Sequence, residues 1–170
     1  GHFRSFTLPG AARAVKEPWR TAAGLLKDAY GNGWKKIAAE LALVPPGVPV
    51  TGFEQAMDSN INSPPTSSLG RIFDGIAALL SVRRAVTFEG QAAMELEGIA
   101  AADGDLEMSF GIDDGRILLL DPAPVVRATV DYIRRGKDRG SVAAAFHSAV
   151  VNALAAAVKI LGDRTGLGRV

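Results

Sequence analysis

The sequence predicts an α+β unit that is mostly helical and carries one β-hairpin. Three observations point there. Apolar residues recur at helical spacing in several separate stretches, proline and glycine punctuate the gaps between them, and one acidic Asp-Asp-Gly turn is flanked by alternating residues. No stretch calls for a domain boundary, so residues 1–170 read as a single structural unit.

The first helix is expected from Glu17-Pro18, because proline fits a first helical turn whose N–H groups lack partners anyway. Trp19, Ala22, Ala23, Leu26, Ala29 and Tyr30 follow at helical spacing, and Gly31-Asn32-Gly33 is a stop. A shorter apolar pattern runs from Trp34 to Leu43. Pro45-Pro46-Gly47 and Pro49 then break the chain before a short helix through Met57. The polar segment Asn60 to Ser68 leads into the strongest helix, where Ser67 or Ser68 can cap and Leu69, Ile72, Phe73, Ile76, Leu79 and Leu80 form the apolar stripe. Arg83 and Arg84 follow, suited to a helix C-terminus.

Ala85 to Phe88 reads as a short extended piece and Glu89-Gly90 as a turn. A helix is expected from Gln91 to Ala102 with Met94 and Ile99 inward. Asp103-Gly104-Asp105 is a turn, Leu106 to Phe110 an alternating strand, Asp113-Asp114-Gly115 the hairpin turn, and Arg116 to Leu120 the return strand. A helix from Asp121-Pro122 to Arg135 precedes a basic, glycine-rich link, Gly136 to Gly140. Ser141 is expected to cap a long alanine-rich helix reaching Leu161, and Gly166 to Val170 reads as the approach to a further strand. That abrupt end suggests a fragment.

Composition limits the chemistry. There are no cysteines, hence no disulfide and no thiolate ligand or nucleophile, and only His2 and His147. A net charge of +1 argues against a broad nucleic-acid surface. The apolar stretch Val142 to Leu161 is interrupted by His147, Ser148, Asn152 and Lys159, which favours a buried or half-buried helix over a membrane span. No phosphate-loop, nucleophile-elbow or zinc-protease motif is present.

Two segments could carry function. On the helix from Ser67 to Ser81, Asp74 lies roughly 150° from the centre of the apolar stripe, at about 100° per residue. Its neighbours there are Ala77, Ala78 and Ser81, so something packs close to that face. One reading is a second helix, with Asp74 accepting structural hydrogen bonds. The other is a ligand with a vicinal hydroxyl pair, such as a ribose, for which a fixed carboxylate is a suitable acceptor. The second segment is Phe88-Glu89-Gly90-Gln91. Gly90 at a helix start allows close approach of a ligand to free N–H groups, or it simply makes a turn while Glu89 complements the helix dipole. His147 reads as a satisfied histidine, Glu17-Pro18-Trp19-Arg20 as a capped helix start, and Arg83, Arg84, Arg134, Arg135, Lys137 and Arg139 as solvated charge near helix ends.

The stretch Ser67-Ser68-Leu69-Gly70-Arg71-Ile72-Phe73-Asp74 and the stretch Val86-Thr87-Phe88-Glu89-Gly90-Gln91-Ala92-Ala93-Met94-Glu95-Leu96-Glu97 resemble the hydrogenase maturation carbamoyltransferases, the HypF family. Pro9-Gly10, Glu17-Pro18-Trp19-Arg20, Asn62-Ser63-Pro64 and Phe146-His147 fit in order and spacing, so the resemblance covers nearly the whole chain. Pro65, where a leucine-like residue is usual, and Ser81, where glycine is frequent, depart from it.

The resemblance implies part of an actin-like (ASKHA) nucleotide-binding domain, similar to the tRNA threonylcarbamoyl-transferases. It implies that Asp74 holds an adenylate ribose and that Gly90 and Gln91 lie against the nucleoside, with Glu89, Glu95 and the capping Ser68 nearby. The implied reaction moves carbamoyl from a carbamoyl-adenylate, made from carbamoyl phosphate and ATP, to the C-terminal cysteine of a hydrogenase maturation partner in the cytoplasm. No nucleic-acid or membrane partner is implied. A zinc or iron ion belongs to the complete enzyme, with ligands outside this chain. On this reading the chain is the middle of the transferase domain, inactive alone. A non-catalytic helical binding module and an O-carbamoyltransferase of the same superfamily are the alternatives.

Overall fold

A computed structural model describes residues 1–101, 105–166 and 168. The elements in order are β1 (His2–Phe3), β2 (Phe6–Thr7), α1 (Ala12–Lys16), α2 (Pro18–Tyr30), a 3-10 turn (Gly31–Gly33), α3 (Trp34–Glu40), α4 (Val50–Asp58) and β3 (Pro65–Thr66). They continue with α5 (Leu69–Leu79), α6 (Gln91–Gly98), β4 (Gly111–Asp114), β5 (Leu118–Asp121), α7 (Ala123–Arg134) and α8 (Arg139–Thr165). The mostly helical α+β class is what the sequence predicts.

The centre of the fold is α2 against α5. Pro18 opens α2, whose Trp19, Ala22, Ala23, Leu25 and Leu26 are buried, and Gly31, at φ 54°, ends it. On α5 the apolar stripe Ile72, Ile76 and Leu79 is buried, but so are Asp74, Gly75, Ala77 and Ala78. The small residues let α2 approach. A methyl at Gly75 would overlap the buried Leu25 side chain. α2 therefore packs against the Gly75 side of α5.

β5 is the middle strand of a three-stranded sheet, parallel to β1 and antiparallel to β4. β2 and β3 make a separate antiparallel pair, extended by Leu8 N–H to Pro64 O and Gly10 N–H to Asn62 O. Pro9-Gly10 and Asn62-Ser63-Pro64, distant in sequence, are thus neighbours. An aromatic chain links sheet to helices. Phe3 meets Phe110 at 5.5 Å, Phe110 meets Phe146 of α8 at 6.4 Å, and Phe146 meets Phe73 of α5 at 4.8 Å between ring centroids.

Several expectations are corrected. β1, β2, β3 and α1 are unforeseen, because two-residue strands and a five-residue helix leave almost no periodicity. Ala85 to Phe88 is bends and not a strand, since no strand lies beside it. Leu106 to Phe110 does alternate in exposure, but the ladder forms one step later. Asp113 and Asp114 sit in β4 facing Leu119 and Leu118, and the reversal falls on residues 115–117. In α6, Ala92 and Leu96 are buried, whereas Met94 (63% exposed) and Ile99 face outward. Ala92 and Leu96, four positions apart, set the buried face of α6, which leaves Met94 on the other side, and Ile99 follows the end of the helix at Gly98. Residues 103 and 104 of the expected turn, and most of the 166–170 tail, lie outside the described residues.

The long helix begins two residues before Ser141. Asp138, not Ser141, is the cap, accepting from Ser141 N–H at 2.9 Å. α8 has the length and apolar composition of a membrane span, while its Val142, Ala143, Ala145, Phe146, Ala149, Val150 and Ala153 are buried in the core. His147 is satisfied, its Nδ1 donating to Ala143 O at 2.8 Å. Ser81 has φ 56°, a conformation glycine adopts without cost, which gives a physical reason for the glycine that the resemblance expects there.

At the start of α5, Ser68 Oγ accepts from Arg71 N–H at 3.4 Å, one of the two caps expected there. We expect Ser68→Ala to lower stability by about 0.5–1 kcal/mol, read as a lower urea midpoint at unchanged slope.

Candidate functional site

The site is built on α5, α6 and the segment between them. α5 carries Asp74 inward at 3% exposure, and Arg71 one turn before it at 8%. Arg71 Nη1 lies 2.9 Å from Asp74 Oδ2. The two atoms are close enough for an ion pair, but they are not aligned as a hydrogen bond, and neither has another hydrogen-bond partner. Burial pushes the Asp74 carboxyl up to about 6. The Arg71 charge opposes that rise, and the negative charge of Glu89 adds to it. Arg71 Nη2 reaches Glu89 Oε1 at 3.4 Å. Glu89 itself is exposed, in the turn before α6.

Gly90 is the N-cap residue of α6, at φ 86°. A Cβ there would meet nothing within 4 Å, so the glycine serves the backbone conformation and its face stays open. No side chain caps α6.

A second network runs along α6. Gln91 Oε1 accepts from Thr87 N–H at 2.8 Å, and Gln91 Nε2 donates to Glu95 Oε1 at 2.9 Å. Glu95 receives Arg83 through both oxygens, at 2.7 and 2.6 Å. The Arg83 hydrogen bonds, joined by that from Gln91, hold the Glu95 carboxyl below its ordinary range. A cleft of about 950 Å³ opens beside this network, with Gln91 and Glu95 in its wall next to Phe88, Met94, Ile99 and Arg139.

The structure therefore sorts the six expected residues. Asp74 and Glu89 are joined by Arg71, Gln91 and Glu95 share the cleft wall, Gly90 lies between the two groups in sequence, and Ser68 caps α5. Asp74, Glu89, Gly90 and Ser68 do not line the cleft.

Sequence reasoning missed the roles of two arginines. Arg71 stands three residues before Asp74, a spacing that places them on one helix face, and that signal was readable. Arg83, expected as solvated charge, is instead the partner of Glu95, twelve positions away, and only the fold shows it. Arg84, also expected as solvated, donates to the Leu41 and Ala42 carbonyls. Arg134 pairs with Glu40 and Arg135 with Asp131. Glu17 does not cap α2 with its side chain but pairs with Arg13 and Arg20. Among the described residues no group of His, Cys, Asp and Glu could hold a metal ion, so no metal step is assigned to this chain.

Over residues 1–170 the sequence matches the family described as carbamoyltransferase, Kae1-like domain, second subdomain. The chain belongs to this family. It is 43% identical over 105 residues to carbamoyltransferase HypF2 of Cupriavidus necator, covering 62% of this chain and 12% of that protein. It is 34% identical over 156 residues to carbamoyltransferase HypF of Rhizobium leguminosarum bv. viciae, covering 91% of this chain and 19% of that protein.

Solved structures agree. The crystal structure of full-length HypF in the phosphate- and nucleotide-bound form superposes with a TM-score of 0.87 at 31% identity, over 98% of this chain and 21% of that one. HypF of T. kodakarensis gives a TM-score of 0.83 at 25% identity, over 98% of this chain and 23% of that one. The chain thus spans about a fifth or less of the length of these relatives. The family assignment and the fold agree with the HypF resemblance read from the Gly-Arg-Ile-Phe-Asp and Glu-Gly-Gln-Ala-Ala segments.

Proposed function

We propose that this chain is the nucleotide-side portion of a carbamoyltransferase that passes a carbamoyl group from carbamoyl-adenylate to a cysteine thiol of a hydrogenase maturation partner. In that reaction the thiolate sulfur attacks the carbamoyl carbon. An S–C bond forms, the C–O bond to the adenylate phosphate breaks, and AMP leaves with the electron pair while the thiol proton passes to solvent. The ATP and carbamoyl phosphate that make the adenylate, the acceptor thiol, the metal ion and the cytoplasmic setting belong to the complete enzyme.

The observation that carries the reading is a deeply buried carboxylate, Asp74, with an oxygen that lacks a hydrogen bond, linked through Arg71 and Glu89 to an open glycine turn. A buried acceptor without a donor is costly, and a ribose hydroxyl pair would supply the missing donors. The bound nucleotide of the related full-length HypF structure supports the same ligand class. In this arrangement Asp74 orients the ribose and the Gly90 turn admits the nucleoside to the backbone, while Gln91 and Glu95, paired with Thr87 and Arg83, stand in the wall of the neighbouring cleft.

The test is AMP binding by calorimetry to a full-length carbamoyltransferase carrying this chain. Asp74→Ala is expected to weaken AMP by roughly 10- to 100-fold, the loss of a charged hydrogen-bond partner worth about 1.5–3 kcal/mol. Unchanged affinity would overturn the reading and favour a non-catalytic binding module. Transfer of labelled carbamoyl to a small hydroxyl acceptor instead of the partner thiol would assign the chain to an O-carbamoyltransferase.

A further inference from the structure

We propose that Arg71 is a positioning residue whose guanidinium holds the Asp74 carboxylate and the Glu89–Gly90 turn together, making one site of two separate parts of the chain. The proposal rests on the nucleotide reading of Asp74. Three observations carry it.

First, the guanidinium is itself buried, so it does not serve as a surface charge, yet it spans two elements. One nitrogen lies 2.9 Å from Asp74 on its own helix, and another lies 3.4 Å from Glu89 in the turn before α6. Second, the nitrogen facing Asp74 is left without an aligned hydrogen bond, and so is the Asp74 oxygen it faces. A purely structural pair would be expected to close that bond, because a buried unsatisfied donor and acceptor each cost stability. In contact at 2.9 Å but out of line, the pair leaves the carboxylate a lone pair for an incoming hydroxyl while the cation remains near enough to favour its charge. Third, the groups that face Asp74 act in opposite directions. Burial and Glu89 favour the protonated form, and Arg71 alone opposes them. A ligand that needs the ionised carboxylate therefore depends on Arg71 even without touching it.

Glu89 closes the arrangement. Its carboxylate is 79% exposed and has no call on Arg71 for burial. Its pairing instead ties the open Gly90 turn to α5, so that the turn and Asp74 keep a fixed separation.

The experiment measures two quantities. The ionisation of Asp74 is followed by carbon-13 carboxyl resonances in the full chain. AMP affinity is followed across pH 5 to 8 in a full-length carbamoyltransferase carrying it. With Arg71→Met the Asp74 midpoint is expected to move up by about one pH unit or more, the effect of removing an adjacent cation. The rise of AMP affinity with pH should shift upward by the same amount. With Glu89→Gln, an exposed change that keeps the fold testable if Arg71→Met does not fold, the midpoint is expected to move down. Arg71→Lys should restore the midpoint but not the full AMP affinity, because an ammonium cannot bridge both carboxylates with the same fork.

If AMP affinity depends on Asp74 while the midpoints ignore Arg71 and Glu89, the positioning role is overturned and the nucleotide reading stands. If the midpoints move as stated but AMP affinity is indifferent to Asp74, the electrostatic link exists, the nucleotide reading fails, and the positioning role toward that ligand fails with it.

Discussion

Asp74→Asn is expected to make the unliganded protein more stable at neutral pH, while it weakens nucleotide binding. The Asp74 carboxyl is raised from 3.8 to about 6 by burial, so the folded state binds its proton more tightly than the unfolded state does. Its contribution to stability is fully present below pH 3.8 and is lost as pH rises through about 6. At pH 7 the folded protein carries a buried, imperfectly partnered negative charge. A neutral amide of the same shape removes that cost. A gain on the order of 1–3 kcal/mol is expected at pH 7, since each pKa unit corresponds to about 1.4 kcal/mol and part of it is returned when Arg71 loses its partner.

The measurement is urea unfolding of wild type and Asp74→Asn at pH 4, 5, 6 and 7. The gap in midpoint should widen across this range. A gap that narrows with rising pH would show that the carboxylate stabilises the fold and is structural. A residue that costs stability at working pH is most readily retained for a ligand it serves.

Gly24→Ala is expected to have the largest effect on folding. Helix propensity points the other way, because alanine in a helix interior is favoured over glycine by about 1 kcal/mol. But Gly24 lies on α2 where β2 crosses it, and an added Cβ would overlap the Thr7 carbonyl oxygen and sit 3.1 Å from Pro9 Cδ. A backbone oxygen cannot rotate aside as a side chain can. Thr7 is also fixed by its pairing with Pro65, so relief would require β2 to leave α2.

A loss of about 3 kcal/mol or more is expected, at the upper end for overpacking. It would be read as a large drop in urea midpoint or recovery only in inclusion bodies. Gly98→Ala is the control. It is also a helical glycine, but a Cβ there meets nothing within 4 Å. That change is expected to stabilise by about 0.5–1 kcal/mol through propensity alone. Equal effects of the two substitutions would show that the β2–α2 approach is not rigid.

The legible part of this molecule is what local rules specify. The long amphipathic helices α2, α5, α7 and α8 each bury enough side chains at helical spacing to be read directly, and Pro18, Gly31 and Ser68 mark their ends. The unusual face of α5 was legible too. A lone carboxylate among alanines is not a solvated surface, and Asp74 is indeed buried. The segment around Glu89-Gly90-Gln91 could be located because a glycine before a helix has a specific backbone use, which φ 86° bears out.

Other features depended on contacts between distant residues. Strands of two residues have no pattern of their own and exist only because a partner lies beside them, as β1 does beside β5. The hairpin register followed the pairing of Ile112 with Leu120, not the Asp-Asp-Gly signal. Met94 turned outward because Ala92 and Leu96 take the buried face of α6, and Ile99 lies past the end of that helix. Above all, the pairing of Glu95 with Arg83 and of Glu89 with Arg71 is a property of how the segment between α5 and α6 folds back on those helices. The sequence by itself determined the helices, their ends and the residues worth suspecting, because those follow from neighbours a few positions apart. Which charge meets which, and how deeply Asp74 is removed from water, were decided by the tertiary structure, since electrostatic partners and desolvation depend on distance in space rather than along the chain.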